Sequence, residues 1–519
     1  MRHQVSKLQL LVALLLLLTT ATFAQNKYDT QLAEVDAYVE KARQDWKIPG
    51  LAMAIVKDDQ VIWAKGYGVR ELGKPESVNE KTLFAIASNT KAFTTALLAT
   101  LVDEGKLKWD DKVTKYWPEF ELYDAYVTRE MTIRDLVSHR SGLATFSGDL
   151  LWYDTNHSRA EVIRRARFIK PVTSFRSAYG YQNIMFLLAG EIAAKVAGKS
   201  WDELVKEKFL VPLGMTTTNT SVTLRKPNEN WASPHVVKHG EENNTVVRYD
   251  VIDNCGGAAV LNSCVAELAQ WMRLQLGRGT YNGKQFFSAP QSHQMWQPNI
   301  FNFISPAAEK FNPTRHFSAY GMGWGLADYQ GRKVVSHGGG MTGMISQTAL
   351  MPEENLGVVI LTNSETGLPS WMVNKVFDVF LGVPKRDWSA EMLDRVSKAQ
   401  AAGKTEEAKA EAAQVKGTKP SLEQSKYAGT YSSQLYGEAK ITEENGKLVL
   451  QLVPAPNFIG DLEHWHYDTF RVKWRDSVRY AFPKGYVTFT LKANGQLDEM
   501  KVDCPNPDFD FTELDFRRK

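Results

Sequence analysis

The sequence predicts an α/β domain, in which helices flank an antiparallel sheet built from both of the domain's ends, followed by a separate all-β domain. Two apolar runs at residues 51–56 and 61–69, joined by a short polar turn, predict a hairpin near the start. Strand-like runs return at residues 333–361, after a middle region rich in helical patterns. A charged stretch at 397–419 then precedes a second group of strand patterns.

The composition is that of a folded protein that can bury more than one core. Of 519 residues, 43% are hydrophobic and 23% are charged, which excludes disordered and fibrous classes. The 62 Lys and Arg residues against 59 Asp and Glu give a net charge of +3. A balance this near zero creates no strong field for nucleic acid or for an acidic membrane. The oligomeric state stays open.

The first 24 residues have the pattern of a secretory signal peptide. Arg2 and Lys7 start the segment, an apolar run covers residues 8–18, and small residues end it at Ala24. The run is short for a membrane span, and no later run approaches about 18 apolar residues. No cysteine lies near Ala24, so a lipoprotein anchor is not indicated. We therefore expect cleavage after Ala24, export to the periplasm or the medium, and a soluble mature chain.

We place the α/β domain at residues 25–383. The spacing of apolar residues predicts its first secondary-structure elements. Apolar residues recur at helical spacing over residues 32–46, and Pro49-Gly50 ends that helix. The hairpin comes next, and a second helix is predicted over residues 88–104.

Three strand-like runs and a helix close the same domain. They cover residues 333–336, 345–351, 357–361 and 371–381. With a hairpin at one end, strands at the other and helices between, the simplest arrangement is one antiparallel sheet formed by both ends.

A linker at residues 384–424 divides the chain. Its part at 397–419 consists of Ala, Lys, Glu and Gln with almost no large apolar residue, so it predicts a solvated helix or a flexible linker. Beyond it, residues 425–519 predict a separate all-β domain. The strand-like runs there cover residues 447–453, 470–474 and 486–492.

The three cysteines form no disulfide framework. Cys255 and Cys264 flank a turn-rich segment and could close a short loop, whereas Cys504 lies far away in the sequence. Two alternatives stay open: a bond between Cys255 and Cys264, or three free thiols.

One Ser-x-x-Lys motif occurs in the chain, at Ser88 and Lys91. At helical spacing the two side chains share a face, so the amine can lie beside the hydroxyl. A desolvated lysine is driven toward its neutral form and can then remove the serine's proton. Alone, the motif would also fit a serine that caps a helix beside an exposed lysine.

Two further motifs carry groups that acyl transfer needs. Tyr181-Gln182-Asn183 precedes an amphipathic helix and offers a phenol to relay protons and an amide to hold a carbonyl. The segment from His337 through Gly339 to Gly340 follows a strand-like run. Its glycines allow close approach of a ligand, and a strand-edge N–H can bind an oxyanion. Alone, these motifs would also fit a packed tyrosine and a glycine-rich turn.

In this order the three motifs resemble the serine β-lactamase and penicillin-binding protein superfamily, and most closely its class C β-lactamase-like branch. The resemblance covers about residues 32–381 and implies the β-lactamase/transpeptidase-like fold. Four supporting stretches are similar to the same family, at residues 65–68, 133–143, 255–257 and 320–324.

The resemblance implies roles for the site residues. Ser88 would attack a carbonyl while Lys91 and Tyr181 share the proton transfers, and water would later cleave the acyl-enzyme. Asn183 would orient the substrate, and the backbone N–H groups of Ser88 and Gly340 would form the oxyanion hole. His337 and Gly339 would belong to the substrate-contacting wall. No metal or organic cofactor is implied, and the expected partner is a small-molecule or peptide substrate.

One departure from the family pattern bears on the substrate. β-Lactamases and DD-peptidases usually carry Lys-Thr-Gly or Lys-Ser-Gly where this chain has His337-Gly338-Gly339. A largely neutral histidine binds a substrate carboxylate poorly. We therefore expect an esterase, amidase or peptidase, acting on D-amino-acid or peptidoglycan-derived substrates among others. The alternatives are a β-lactamase or DD-carboxypeptidase, and a penicillin-sensing or peptidoglycan-binding protein with little turnover.

Other signals are weaker. A zinc site could use His464 with His466, or His235 with His239 on a helix, but neither pair has an obvious third ligand. His139 is expected to be structural. Residues 463–470 resemble part of the lipocalin-like domain often appended to such hydrolases, and we expect this domain to shape or cover the mouth of the active site.

Overall fold

The computed structural model describes residues 27–237, 241, 243–476, 485–506 and 508–519. The expected signal peptide lies outside these residues. Among the helices described, none combines the length and the apolarity needed to span a bilayer.

An eight-stranded antiparallel sheet forms the centre of the first domain, in the order β2-β1-β14-β13-β12-β11-β10-β9. The hairpin strand β1 pairs with β14, with Leu51 opposite Thr362, so the two ends of the domain meet in the middle of the sheet as predicted. The strand bounds are β1 Gly50–Lys57, β2 Gln60–Gly68, β9 Ile300–Phe301, β10 Ser318–Tyr320, β11 Gly325–Tyr329, β12 Arg332–Met341, β13 Met344–Met351 and β14 Leu356–Thr362. Short two-stranded pairs outside it are β3 Phe84–Ala85 with β6 Asn262–Ser263, β4 His235–Val237 with β5 Asn244–Val246, and β7 Thr280–Tyr281 with β8 Lys284–Gln285.

Both faces of the sheet are covered, which explains why β1 is apolar throughout. Because side chains alternate along a strand, Ala52 and Ala54 face the large core beneath the helical region, while Leu51 and Met53 face a second core under the first and last helices of the domain. The helices that cover the sheet and fill the helical region are α1 Asp29–Asp45, α2 Thr90–Asp103, α3 Val113–Tyr116, α4 Ala125–Glu130, α5 Ile133–Leu136, α6 Arg159–Arg165, α7 Asn183–Ala197, α8 Trp201–Val205, α9 Val265–Leu276, α10 Ala289–Met295, α11 Pro306–Phe311 and α12 Leu368–Leu381.

The charged linker contains a long helix, α13 Trp388–Ala412, whose residues are mostly exposed, and a short helix, α14 Gln424–Tyr427, precedes the second domain. That domain is a closed barrel in which each strand pairs with the next and the last pairs with the first. Its strands are β15 Gly429–Ser433, β16 Gly437–Glu444, β17 Lys447–Leu452, β18 Ile459–His466, β19 Thr469–Trp474, β20 Gly485–Leu491, β21 Leu497–Asp503 and β22 Asp515–Arg518. Closure leaves no free edge, and eight strands leave an interior that side chains fill.

The barrel lies against the helical region of the first domain. The Asn156 amide donates to the carbonyl of Pro454 over 2.8 Å, and the Tyr153 ring lies 4.4 Å from that of Phe509. The Arg165 guanidinium donates to the Leu435 carbonyl over 2.9 Å. The barrel therefore contacts the segment that leads into the candidate site.

Candidate active site

Ser88 lies in a 3-10 turn, Ala87–Asn89, at the start of α2. Ala87 has φ +45°, a conformation that non-glycine residues adopt rarely and that recurs at functional sites. The Asn89 amide donates to Ser346 Oγ on β13 over 2.7 Å, and that hydroxyl donates to the Ile86 carbonyl over 2.7 Å. These contacts fix the turn to the central sheet.

Lys91 is fully buried and points at Ser88. Its Nζ lies 2.9 Å from Ser88 Oγ, 2.6 Å from Asn183 Oδ1 and 3.0 Å from the carbonyl oxygen of Ala258. The alternative of an exposed lysine beside a capping serine is therefore wrong. Burial lowers the pKa of Lys91 to about 7, although the nearby Cys255 and Asp149 oppose that shift.

Tyr181 completes the group around the nucleophile. Its side chain lines the same cavity as Ser88, and its ring centre lies 4.7 Å from Lys91 Nζ. Burial raises the pKa of Tyr181 well above its usual value, so the phenol is protonated at neutral pH. Of the two groups that could act as the resting base, Lys91 is the one whose proton is easily lost.

Strand β12 passes directly beside the nucleophile. A Cβ on Gly339 would lie 2.2 Å from the Ile86 carbonyl oxygen and 3.0 Å from the Ser88 nitrogen. Any side chain at this position would push the strand away from the serine. Glycine is therefore required at position 339, whereas a Cβ on Gly340 would meet Ile345 Cδ1 at 3.4 Å, an ordinary contact.

His337, two residues earlier, is buried on the same strand. Its Nδ1 lies 2.6 Å from the Gly338 carbonyl oxygen, which can only accept, so Nδ1 carries the proton and Nε2 accepts from Tyr320 at 2.9 Å. Burial lowers the pKa of His337 to about 3, and the nearby Lys91 adds to the shift. The imidazole is therefore neutral. This agrees with the expectation that His337, which stands where β-lactamases usually carry the lysine of Lys-Thr-Gly, is largely uncharged.

Asn183 is held at both ends of its amide. Its Oδ1 accepts from Lys91, and its Nδ2 donates to Asp149 Oδ2 over 2.6 Å. The other oxygen of Asp149 accepts from the Trp152 indole over 2.9 Å. Burial raises the pKa of Asp149 to about 7. The predicted substrate-orienting amide is thus engaged within the protein, chiefly with the lysine.

A cavity of about 1070 Å³ joins these groups. Five residues singled out from the sequence line it: Ser88, Tyr181, Asn183, His337 and Gly340. Lys91 and Gly339 lie immediately behind that lining, in contact with Ser88. Other walls come from aromatic residues of the helical region and from the barrel, namely Phe146, Trp152, Tyr153, Asn506, Asp508 and Phe509.

Sequence reasoning missed two groups that position the site. Asp149 belongs to no motif, and its contact with Asn183, the first residue of α7, joins positions 34 residues apart in sequence. Tyr320 lies in one of the supporting stretches, but the sequence gives no sign that it bonds to His337. Both contacts depend on the tertiary fold alone.

The remaining histidines and cysteines lie apart from this chemistry. His139 is buried among aromatic rings and its Nδ1 accepts from the Gln182 amide over 3.0 Å, a structural setting. His235 lies on strand β4 and not on the helix that a zinc pair with His239 would need, and His239 lies outside the described residues. Within the described ranges, no group of three or more His, Cys, Asp or Glu is placed to hold a metal ion. Cys255, Cys264 and Cys504 are buried free thiols, which selects the second of the two cysteine alternatives.

Comparison with known proteins assigns a separate family profile to each of the two domains. A beta-lactamase family profile matches residues 35–380, and a profile described as a domain of unknown function, DUF3471, matches residues 413–518. The solved structure of an octameric penicillin-binding protein homologue from Pyrococcus abyssi has the same fold, with a TM-score of 0.61 and 20% identity over 94% of this chain and 100% of that one.

Two characterised relatives are more similar in sequence. The unguisins hydrolase of Aspergillus campestris is 31% identical over 350 residues, which cover 65% of this chain and 62% of that protein. Protein flp of Staphylococcus aureus strain MRSA252 is 27% identical over 342 residues, covering 64% and 62%. The matches thus span less than two thirds of these relatives' length. Because the family profile matches well over half of the chain, and its fold carries the Ser88, Tyr181 and His337 motifs at one cavity, this protein belongs to the beta-lactamase family.

Proposed function

We propose that this chain is a serine hydrolase that cleaves ester or peptide-amide bonds through an acyl-enzyme on Ser88. The observation that carries the proposal is the 2.9 Å contact between Ser88 Oγ and the buried Lys91 Nζ. A lysine whose pKa is about 7 is half deprotonated at physiological pH. Membership of the beta-lactamase family and a relative named as a hydrolase support the reaction class.

Acylation begins with the neutral amine. Its two N–H groups donate to Asn183 Oδ1 and to the Ala258 carbonyl, so the lone pair is directed at the Ser88 hydroxyl. Lys91 takes the proton as Ser88 Oγ forms a bond to the substrate's carbonyl carbon. The negative charge moves onto the carbonyl oxygen, which the N–H groups of Ser88 and Gly340 would stabilise.

Collapse of this intermediate expels the leaving group. Tyr181 carries a proton at neutral pH and lies beside both Ser88 and Lys91, so it can protonate the departing oxygen or nitrogen and recover a proton from the lysine. In deacylation, water attacks the acyl carbon, gives its proton to Lys91, and Ser88 leaves protonated.

The substrate preference follows from His337. Because the imidazole is neutral and bonded to Tyr320, it offers no positive charge to a substrate carboxylate. This supports ester and peptide-amide substrates, including D-amino-acid or peptidoglycan-derived ones, over penicillins. We also propose export to the periplasm or the medium, on the pattern of the leader. N-terminal sequencing that finds Gln25 first in the secreted or periplasmic protein would support this.

The test of the reaction is intact-protein mass spectrometry with product release. Wild type and Ser88→Ala are each mixed with a short-chain nitrophenyl ester and, separately, with a penicillin. We expect a Ser88-dependent acyl adduct and steady release from the ester, with little release from the penicillin. Fast penicillin turnover would instead identify a β-lactamase. A single stoichiometric burst without turnover would identify a sensor, and no Ser88-dependent adduct with either probe would overturn the proposal.

A further inference from the structure

A path of hydrogen bonds, interrupted by one covalent step along the backbone from Gly148 to Asp149, runs from the C-terminal barrel to the nucleophile. The Glu513 carboxylate accepts from the Ser147 hydroxyl and, over 2.8 Å, from the backbone N–H of Gly148. The next residue is Asp149, which accepts from Asn183 over 2.6 Å. Asn183 in turn accepts from Lys91, which contacts Ser88.

We propose that Glu513 and Asp149 are positioning residues for Lys91, so that the C-terminal barrel is a working part of the active site. This inference rests on the proposed hydrolase function. Asp149 fixes which end of the Asn183 amide faces the lysine, and Glu513 fixes the loop that carries Asp149.

The side-chain amide of Asn183 could lie in either of two orientations, which exchange the positions of Oδ1 and Nδ2. The contact with Asp149 selects one of them. Both oxygens of Asp149 accept, one from Asn183 Nδ2 and the other from the Trp152 indole. With Nδ2 committed to the carboxylate, Oδ1 must face Lys91. That orientation supplies one of the two acceptors which direct the lysine lone pair at Ser88.

The loop at residues 144–149 needs an external partner to keep this shape. Gly148 adopts φ +78°, and a Cβ there would lie 2.4 Å from Ile169 Cδ1. Its N–H and the neighbouring Ser147 hydroxyl point out of the first domain and end on Glu513. The same loop meets Tyr181, because the Phe146 amide donates to the Tyr181 carbonyl over 2.8 Å. One barrel carboxylate therefore anchors a loop that contacts Tyr181 directly and reaches Lys91 through Asn183.

The charges on this path act on one another. Asp149 favours the ammonium form of Lys91, so its removal lowers the pKa of Lys91 further. Glu513 opposes the ionisation of Asp149, and Asp510 opposes that of Glu513. The other titratable groups that act on Lys91, or on which Lys91 acts, are Tyr181, His139, His337 and Cys255.

A double-mutant cycle tests the proposal on the full-length protein with the nitrophenyl ester. We expect Glu513→Ala to lower kcat about tenfold and Asp149→Ala about 100-fold, with KM little changed. If Glu513 acts through Asp149, its substitution has little further effect in the Asp149→Ala background. Asp515→Asn, on the adjacent barrel strand and exposed, is the matched control and should keep wild-type kinetics. Additive effects of the two alanine substitutions would overturn the relay.

Asp149→Asn supplies a readout that a merely structural role would not move. It keeps the side chain's shape but removes the charge, so the pKa of Lys91 and the acidic limb of the kcat/KM profile should shift to lower pH. Titration of ¹³Cε-labelled lysine, with the Lys91 signal assigned by its loss in Lys91→Met, reports the same shift without turnover. A wild type that shows no Ser88-dependent release would refute the hydrolase, whereas an unmoved Lys91 titration in Asp149→Asn would refute the positioning role.

Discussion

Lys91 Nζ and Asn183 Oδ1 lie 2.6 Å apart, in the shortest of the three hydrogen-bond contacts that the buried lysine makes. The asparagine of the Tyr-x-Asn motif is therefore engaged with the proposed base, and its part in the reaction is to hold the Lys91 amine.

The rate of acylation should rise with pH through about 7. Lys91 acts as a base only when neutral, and burial lowers its pKa to about 7. Below that pH the ammonium form predominates and kcat/KM should fall about tenfold per pH unit. Stopped-flow acylation by the nitrophenyl ester measures the profile. A rate that keeps rising to pH 10 with no inflection near 7 would contradict this assignment.

The same shift makes stability depend on pH. In the unfolded chain Lys91 holds its proton up to about 10.5, whereas in the folded chain it loses it above about 7. The unfolded state therefore binds more protons between these values, and folding stability rises with pH there. Between pH 7 and 9, wild type should gain on the order of 2 kcal/mol relative to Lys91→Met. Urea unfolding at both pH values measures the difference, and a constant difference would exclude the shift.

Replacing Asn183 by Asp should disable the base. The new carboxylate would pair with Lys91 and favour its ammonium form, while facing the Asp149 carboxylate over the present 2.6 Å contact. We expect the pH at which kcat/KM falls on the acidic side of its pH profile to rise by at least one unit. Gln270→Glu, on α9 and without contacts to the site, is the matched amide-to-acid control. An unchanged limb in Asn183→Asp would show that this contact does not set the lysine's pKa.

Gly339→Ala should abolish activity, whereas Gly338→Ala should be tolerated. The added methyl at 339 would lie 2.2 Å from a backbone oxygen of the nucleophile turn, while at 338 it would meet the flexible Gln347 side chain at 3.1 Å. We expect kcat/KM to fall at least 100-fold for the first and less than tenfold for the second. Equal effects of the two substitutions would mean that close approach to Ser88 is not the constraint.

Phe509 should determine how well bulky substrates bind. It lines the cavity from the barrel and contacts the Tyr153 ring. Phe509→Ala should raise KM several-fold for esters with a large acyl group and leave the acetate ester unaffected. The exposed barrel residue Tyr467 provides the control, as Tyr467→Ala. No change in KM with any acyl group would count against a role of the barrel in shaping the site.

The sequence predicted the parts of the fold that depend on local pattern. The hairpin strands, the helix after Ser88 and the last two strands of the first domain match the structure within a few residues, because apolar period and turn residues determine them. The strand predicted at residues 333–336 is longer, because β12 continues through the glycines that were expected to follow it and ends at Met341. The three motifs singled out in the sequence also meet, since Ser88, Tyr181 and His337 line one cavity.

What the sequence could not supply are contacts made by the tertiary fold. Asp149 precedes an apolar run at residues 150–153, and Glu513 lies between Asp510 and Asp515. Neither carboxylate belongs to a motif that would mark it as part of the site. The i, i+4 spacing of His235 and His239 would share a face on a helix, but His235 pairs with Val246 on a strand. The role of Asn183 likewise depends on which residues the fold brings to Oδ1 and Nδ2 of its side chain.

The pairing of β1 with β14 has a consequence for how the protein is made. Leu51 is synthesised roughly 300 residues before its partner Thr362, so the hairpin has no neighbour in the sheet until almost the whole first domain has left the ribosome. The barrel strands, in contrast, nearly all pair with their immediate successors and can close soon after synthesis. Until Thr362 is available, the unpaired edge of β1, which is apolar on both faces, is therefore open to pairing with other chains.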